Sequence, residues 1–134
     1  MSKHVFTYGS LMFASVWQRV VQGSYRSEAA TLAGYTRFAL AEETYPGIVA
    51  DTAGQVAGLV YFDVDAADLA ALDRFEGDEY RRCTVDVSSN ALAPVCAETY
   101  VMTALHRLSD QPWDPQGFAL QRFLAGYCRD KTDV

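Results

Sequence analysis

Hydrophobic and polar positions along the chain fall into short blocks, each closed by glycine, proline or a cluster of small polar residues. Residues 4–8 are β-formers in sequence, which predicts a short strand broken by Gly9-Ser10. From Leu11 the period changes. Phe13, Val16, Trp17, Val20 and Val21 recur at helical spacing, and Gly23 stands where such a helix ends. Residues 30–41 mix apolar, Thr and aromatic positions around Gly34, the pattern of a strand with a bend or bulge. Tyr45-Pro46-Gly47 reads as a turn and Ile48-Val49 as a short strand closed by Asp51-Thr52-Ala53-Gly54. Residues 55–64 form the strongest strand pattern, interrupted only by Gly58.

Asp65 is placed as the N-cap of a helix over 66–75, with Asp68 in its acidic first turn. Strands follow at 81–88 and 95–104, separated by a turn at Ser89-Asn90. Residues 109–117 read as a loop or an irregular helix start. Leu120, Phe123, Leu124, Tyr127 and Cys128 then share one helical face before a polar tail over 129–134. No linker or repeat divides the chain, so a single α+β domain over 1–134 is expected. Strands joined by short turns favour antiparallel pairing. The expected sheet is small, curved and barrel-like, flanked by helices, with Gly34 and Gly58 as points of curvature.

Composition narrows the function classes. Eleven Lys and Arg face seventeen Asp and Glu, a net charge of −6, which disfavours a nucleic-acid partner. No apolar run approaches the roughly 20 residues of a membrane span, and the start of the chain lacks the pattern of a signal peptide. Cys83, Cys96 and Cys128 are odd in number and unpaired in spacing. They are expected as reduced, buried thiols in a cytoplasmic protein. His4 and His106 have no metal-ligand spacing and are expected at the surface. The sequence carries no signal for oligomeric state, and Trp113 suits an interface or ordinary core and rim packing.

Two segments carry candidate chemistry. Leu69, Leu72 and Glu76 stand at i, i+3 and i+7, one face of a helix. A carboxylate on that stripe is either a buried group with a raised pKa, suited to acid–base work, or, with the helix ending at Gly77, turns to solvent or pairs with Arg74, Arg81 or Arg82. Asp73, Asp78 and Glu79 read as solvated charges. The second segment, Phe6-Thr7-Tyr8-Gly9-Ser10-Leu11, runs from strand to helix. Its backbone N–H groups and the helix dipole suit a carboxylate or developing oxyanion; alternatively Ser10 simply caps the helix. The segment has neither the glycines and Lys of a phosphate loop nor a Gly-x-Ser-x-Gly elbow.

These segments resemble the gamma-glutamylcyclotransferase-like superfamily. The first is similar to its Tyr-Gly-Ser/Thr-Leu loop. Leu72-Asp73-Arg74-Phe75-Glu76-Gly77, followed by Tyr80-Arg81-Arg82, is similar to its Leu-Asp-x-Phe-Glu-Gly…Tyr-x-Arg segment. Tyr45-Pro46-Gly47-Ile48-Val49 and Val56-Ala57-Gly58-Leu59-Val60-Tyr61 resemble its central strands, so the likeness covers most of residues 4–103. The nearest branch resembles gamma-glutamylamine cyclotransferase. Met102 and residues 105–134 depart from the pattern at the pocket rim, where the leaving group would lie.

The resemblance implies an antiparallel barrel with helices around it and a cavity at one side. It implies a small gamma-glutamyl substrate held by Tyr8, Gly9, Ser10 and Leu11 through backbone N–H groups, with Tyr80 lining the pocket and Glu76 catalytic. It implies no metal and no nucleotide or other cofactor. The expected reaction is attack of the substrate α-amine on its own γ-carbonyl, giving 5-oxoproline and a released amine or amino acid. The alternative is a binding module that keeps the pocket without turnover.

Overall fold

The first strand, β1 (Ser2–Thr7), is followed by a 3-10 turn (Ser10–Met12), a short helix α1 (Ala14–Val20) and a long hairpin made of β2 (Ser27–Leu40) and β3 (Pro46–Asp65). Helix α2 (Ala66–Glu76), strands β4 (Tyr80–Ser89) and β5 (Val95–Met102), a second 3-10 turn (Leu105–Arg107) and β6 (Leu108–Pro112) complete this computed structural model. It describes residues 2–41, 43–89 and 94–115. The expected helix face from Leu120 to Cys128, the polar tail and Asn90 of the expected turn lie outside the described residues.

Strands β3, β1, β5, β4 and β2 pair in that order, and β2 pairs again with β3, so five strands close a ring and β6 adds to the outside of β2. The expected α+β barrel is therefore present, with one difference. The β1–β5 pairing is parallel, with Val5 opposite Glu98, so the sheet is mixed rather than wholly antiparallel. Short turns dictate only neighbouring pairs, and β1 and β5 are far apart in the chain.

Alternation along the strands builds two buried clusters. Phe6, Tyr8, Leu32, Ile48, Val56, Val60, Phe62 and Val87 form one. Val5, Tyr61, Val64, Tyr100 and Met102 join Val16 and Trp17 of α1 and Leu69, Leu72 and Phe75 of α2 in the other. Burying large side chains on both faces of β1 contributes about 2 kcal/mol each and fixes the strand that leads into the 8–11 loop.

The hairpin revises several expected boundaries. Its register runs unbroken from Ser27–Tyr61 to Ala33–Gln55 and resumes at Tyr35–Ala50. The expected turn Asp51-Thr52-Ala53-Gly54 is thus an excursion inside one strand, where Asp51 accepts from Thr36 Oγ1 at 2.7 Å and from Ala53 N at 3.1 Å. Gly34 is the bulge opposite it, at φ +88°. Nothing crowds that position, so Gly34→Ala is expected to cost only the left-handed backbone penalty, about 1 kcal/mol in urea unfolding. No change in the midpoint would contradict this.

Gly58 does not bend the strand, because pairing is continuous through Ala30–Gly58. A Cβ there would sit 2.1 Å from the Thr7 carbonyl oxygen, so the glycine permits close packing of β3 on β1. Pro46 and Gly47 begin β3 rather than forming a turn; proline is tolerated as the first residue of a strand.

Elsewhere, Leu11 does not start a helix. Phe13 has extended backbone (φ −87°, ψ 125°), which separates the 3-10 turn from α1. α1 stops before Gly23, with Val21 N–H on the Trp17 carbonyl. The expected loop at 109–117 contains β6, held by Phe38–Pro112 and Leu40–Leu108 pairing rather than by any apolar alternation. Asp65 caps α2 as expected, accepting from Asp68 N–H at 2.8 Å.

Cys83 and Cys96 are free thiols as expected, but Cys96 is exposed and Cys83 only partly covered. The helices cover the outer face of β5 at Tyr100 and Met102, not at its start. His106 is exposed, while His4 is partly covered and accepts from Asp63 N–H through Nδ1 at 3.1 Å. Trp113 is buried and donates to the Thr44 carbonyl at 2.9 Å. No helix among the described residues is long and apolar enough to cross a membrane.

Candidate functional site

A pocket opens where the C-terminal end of β1, the start of β3, the end of α2 and strands β4 and β5 converge. Phe6 to Leu11, Tyr45, Pro46, Phe75, Glu76, Tyr80 and Tyr100 line about 380 Å³ of space, its open mouth included. All six residues singled out in the sequence, Tyr8, Gly9, Ser10, Leu11, Glu76 and Tyr80, therefore meet at one place.

Glu76 arrives there because α2 is anchored by the rest of its stripe. Leu69, Leu72 and Phe75 are buried, and Glu76 ends the helix half-exposed at the pocket wall. Gly77 (φ +77°) terminates the helix, its N–H on the Asp73 carbonyl. Of the three arginines weighed as partners, Arg82 lies 3.5 Å from Asp73 and 3.7 Å from Glu98, while Arg74 and Arg81 are exposed.

The neighbouring acids are less idle than expected. Asp73 accepts from the Tyr100 hydroxyl at 2.8 Å, and Glu79 is hydrogen-bonded to Arg107; Asp78 is exposed. Burial and the carboxylates of Asp73 and Glu76 push the Tyr100 hydroxyl far above its ordinary pKa. Tyr100 is therefore a fixed donor, not a base, and Glu76 is the carboxylate among the described residues that line the pocket.

The 8–11 loop faces this carboxylate across the pocket. The 3-10 turn is held by Met12 N–H on the Gly9 carbonyl at 3.0 Å and Phe13 N–H on the Ser10 carbonyl at 3.1 Å. Among the described residues, the N–H groups of Ser10 and Leu11 meet no backbone acceptor. This revises the helix-start reading in two ways. The donors belong to a short turn, not to α1, which begins at Ala14, and Ser10 makes no side-chain cap. Gly9 packs against the Pro46 ring, where a Cβ would come within 2.8 Å.

Hydrogen bonds to distant parts of the chain fix the walls. The Tyr8 hydroxyl donates to the Tyr100 carbonyl at 2.5 Å, and Tyr80 donates to the Pro46 carbonyl at 2.7 Å. At the mouth, Arg107 bonds Glu79 and lies 3.4 Å from Glu43, tying the residues beside Tyr80 to those beside Tyr45. Burial, then the Glu43 hydrogen bond, push the Tyr45 hydroxyl up to about 12, against the pull of Arg107. No three His, Cys, Asp or Glu side chains gather as metal ligands among the described residues. Sequence patterns did not single out Arg37, Tyr100 or Arg107, and nothing local marks them; Tyr45-Pro46 carried a signal only through the resemblance.

Comparison with known proteins places the chain in a family and agrees with its fold. The family model described as "Gamma-glutamyl cyclotransferase, AIG2-like" matches residues 5–117. Protein AIG2 C of Arabidopsis thaliana is 37% identical over 101 residues, covering 75% of this chain and 61% of that protein. The chain thus spans about three-fifths of that relative's length. A solution structure of an Arabidopsis thaliana protein superposes with a TM-score of 0.71 at 29% identity, over 92% of this chain and 82% of the other. A structure named gamma-glutamyl cyclotransferase shares the fold, with a TM-score of 0.70 at 18% identity over 98% of this chain and 80% of the other.

Proposed function

Because the chain belongs to the gamma-glutamyl cyclotransferase, AIG2-like family, we propose that it cyclises the gamma-glutamyl group of a small substrate to 5-oxoproline. The observation that carries this reading is the pairing of Glu76 with the 8–11 loop across one pocket. An intramolecular acyl transfer needs a base for the attacking amine and donors for the oxygen that gains charge.

In the proposed reaction Glu76 takes a proton from the substrate α-amine. The amine nitrogen then attacks the γ-carbonyl carbon and closes a five-membered ring. The carbonyl oxygen becomes an oxyanion facing the loop N–H groups, which also hold the substrate carboxylate. As the intermediate collapses, the bond to the leaving nitrogen breaks, Glu76 returns its proton to that nitrogen, and the ring nitrogen sheds its second proton, taken up by the released amine, to leave the neutral lactam. The pocket holds the chain of the substrate folded back on itself, which offsets the entropy of ring closure. The acid count of the whole chain does not oppose an anionic substrate, since neutral N–H donors hold it.

The test is a panel of gamma-glutamyl amines, gamma-glutamyl dipeptides and glutathione incubated with purified protein and assayed for 5-oxoproline. Turnover of at least one compound is expected. Thermal stabilisation by these compounds with no product formed would support the binding-module alternative instead.

A further inference from the structure

Three consecutive peptide units form the rim of the 8–11 loop, and each has its carbonyl held from outside the pocket. The Gly9 and Ser10 carbonyls accept from Met12 and Phe13 N–H within the turn. The Tyr8 carbonyl is held differently, by the Arg37 side chain, whose Nη1 donates to it at 2.7 Å and to the Ala57 carbonyl at 3.1 Å. Arg37 stands opposite Ile48 in the β2–β3 register, so its side chain shares the face of that fully buried residue and enters the end of the barrel. Its guanidinium carbon lies 5.2 Å from the centroid of the buried Trp113 ring. A half-buried charged group thus bridges the Tyr8 carbonyl of the pocket loop and the Ala57 carbonyl of β3, with the Asp114 carboxylate favouring its charge.

We propose that Arg37 is a positioning residue for the reaction, setting the Tyr8–Gly9 peptide so that the Gly9 N–H is presented to the substrate oxygen. The inference rests on the cyclotransferase reading. In a trans peptide the C=O and N–H point in opposite directions, so holding the carbonyl from behind aims the N–H forward. A hydrogen bond from a cation to the carbonyl also polarises the whole amide and strengthens its N–H as a donor. The Tyr8 side chain is tied to Tyr100, so the peptide has little freedom to compensate if Arg37 is lost.

The test compares wild type, Arg37→Met and Arg37→Lys by steady-state kinetics and by the amide nitrogen–proton spectrum. Losing an oxyanion donor costs about a hundredfold or more, and Arg37 only aims and strengthens one, so Arg37→Met is expected to lower kcat about tenfold. KM should stay within about threefold, because the gain is made in the transition state. Arg37→Lys, which keeps a cationic donor, should recover part of the loss. A purely structural role would lower the melting temperature and leave the kcat of the folded protein unchanged; that outcome overturns the proposal. Should wild type turn over none of the panel, the cyclotransferase reading fails on its own. The Gly9 cross-peak then decides: it must move in Arg37→Met beyond the shifts of other loop amides, and an unmoved peak overturns the role of Arg37.

Discussion

Glu76→Gln is expected to reduce 5-oxoproline formation about a thousandfold while the protein remains folded. Glutamine keeps the size and hydrogen-bonding reach of the side chain but neither takes nor returns a proton. General acid–base catalysis contributes about a hundred- to ten-thousandfold, and the substrate α-amine is largely protonated at neutral pH, so both halves of the proton transfer depend on this group. Glu76 is the last residue of α2, and the buried anchors of the helix are Leu69, Leu72 and Phe75, so stability should change little. Substrate KM should change far less than kcat. A variant retaining more than a tenth of wild-type kcat would remove Glu76 from the chemistry.

The largest effect on stability is expected at Asp68, in the first turn of α2, at the opposite end of the helix from Glu76. This carboxylate is buried on α2 and accepts from Gln22 N–H and Gly23 N–H at 2.9 Å each and from the Tyr25 hydroxyl at 2.6 Å. It ties the end of α1 to the helix that carries Glu76. Burial pushes its pKa up, but the three hydrogen bonds outweigh this and hold it below the ordinary carboxylate value. Asp68→Asn turns an amide toward donors that need an acceptor, at a cost of about 3 kcal/mol. For a domain of this size the melting temperature should fall by about 10 °C.

The pH dependence follows from the sign of the shift. The folded pKa lies below the unfolded one, so the stabilisation is complete above about pH 4 and is lost as the pH falls from there through the folded value. The gap between wild type and Asp68→Asn should therefore narrow below about pH 4. A gap that widens on acidification would contradict the assignment, and equal melting temperatures at pH 7 would show that the clamp contributes nothing.

Local pattern carried the elements that obey local rules. The stripe of Leu69, Leu72 and Glu76 identified both the helix and the end at which its acid emerges. Alternation identified β4, and Asp65 capped the helix it was expected to cap. Segments shaped by distant contacts were not legible in this way. β6 has no apolar alternation and exists through its pairing with β2. The apolar period from Leu11 runs through Phe13, yet the chain turns there, because Leu11 is buried in the core ahead of α1.

The site divides along the same line. Tyr8 to Leu11, Glu76 and Tyr80 lie in two short segments and were recognisable from the family they resemble. Tyr100 bonds Tyr8 from 92 residues away, and Arg37 reaches the same residue from 29 away. No window of sequence joins those partners. The net charge behaves similarly. A balance of −6 argued against nucleic acid, but the acids near the pocket differ in what they touch. Asp73 holds Tyr100, Glu79 holds Arg107, and Glu76 faces the pocket.

The most direct test of the account follows the reacting carbon. A gamma-glutamyl amine labelled with carbon-13 at its γ-carbonyl is mixed with wild-type protein and with Glu76→Gln, and the label is watched by NMR. The account predicts that wild type converts the open-chain amide signal to that of the 5-oxoproline lactam, with the amine released in equal amount, and that Glu76→Gln leaves the amide signal unchanged. Conversion to a free γ-carboxylate, or lactam formation at the same rate in both proteins, would contradict it.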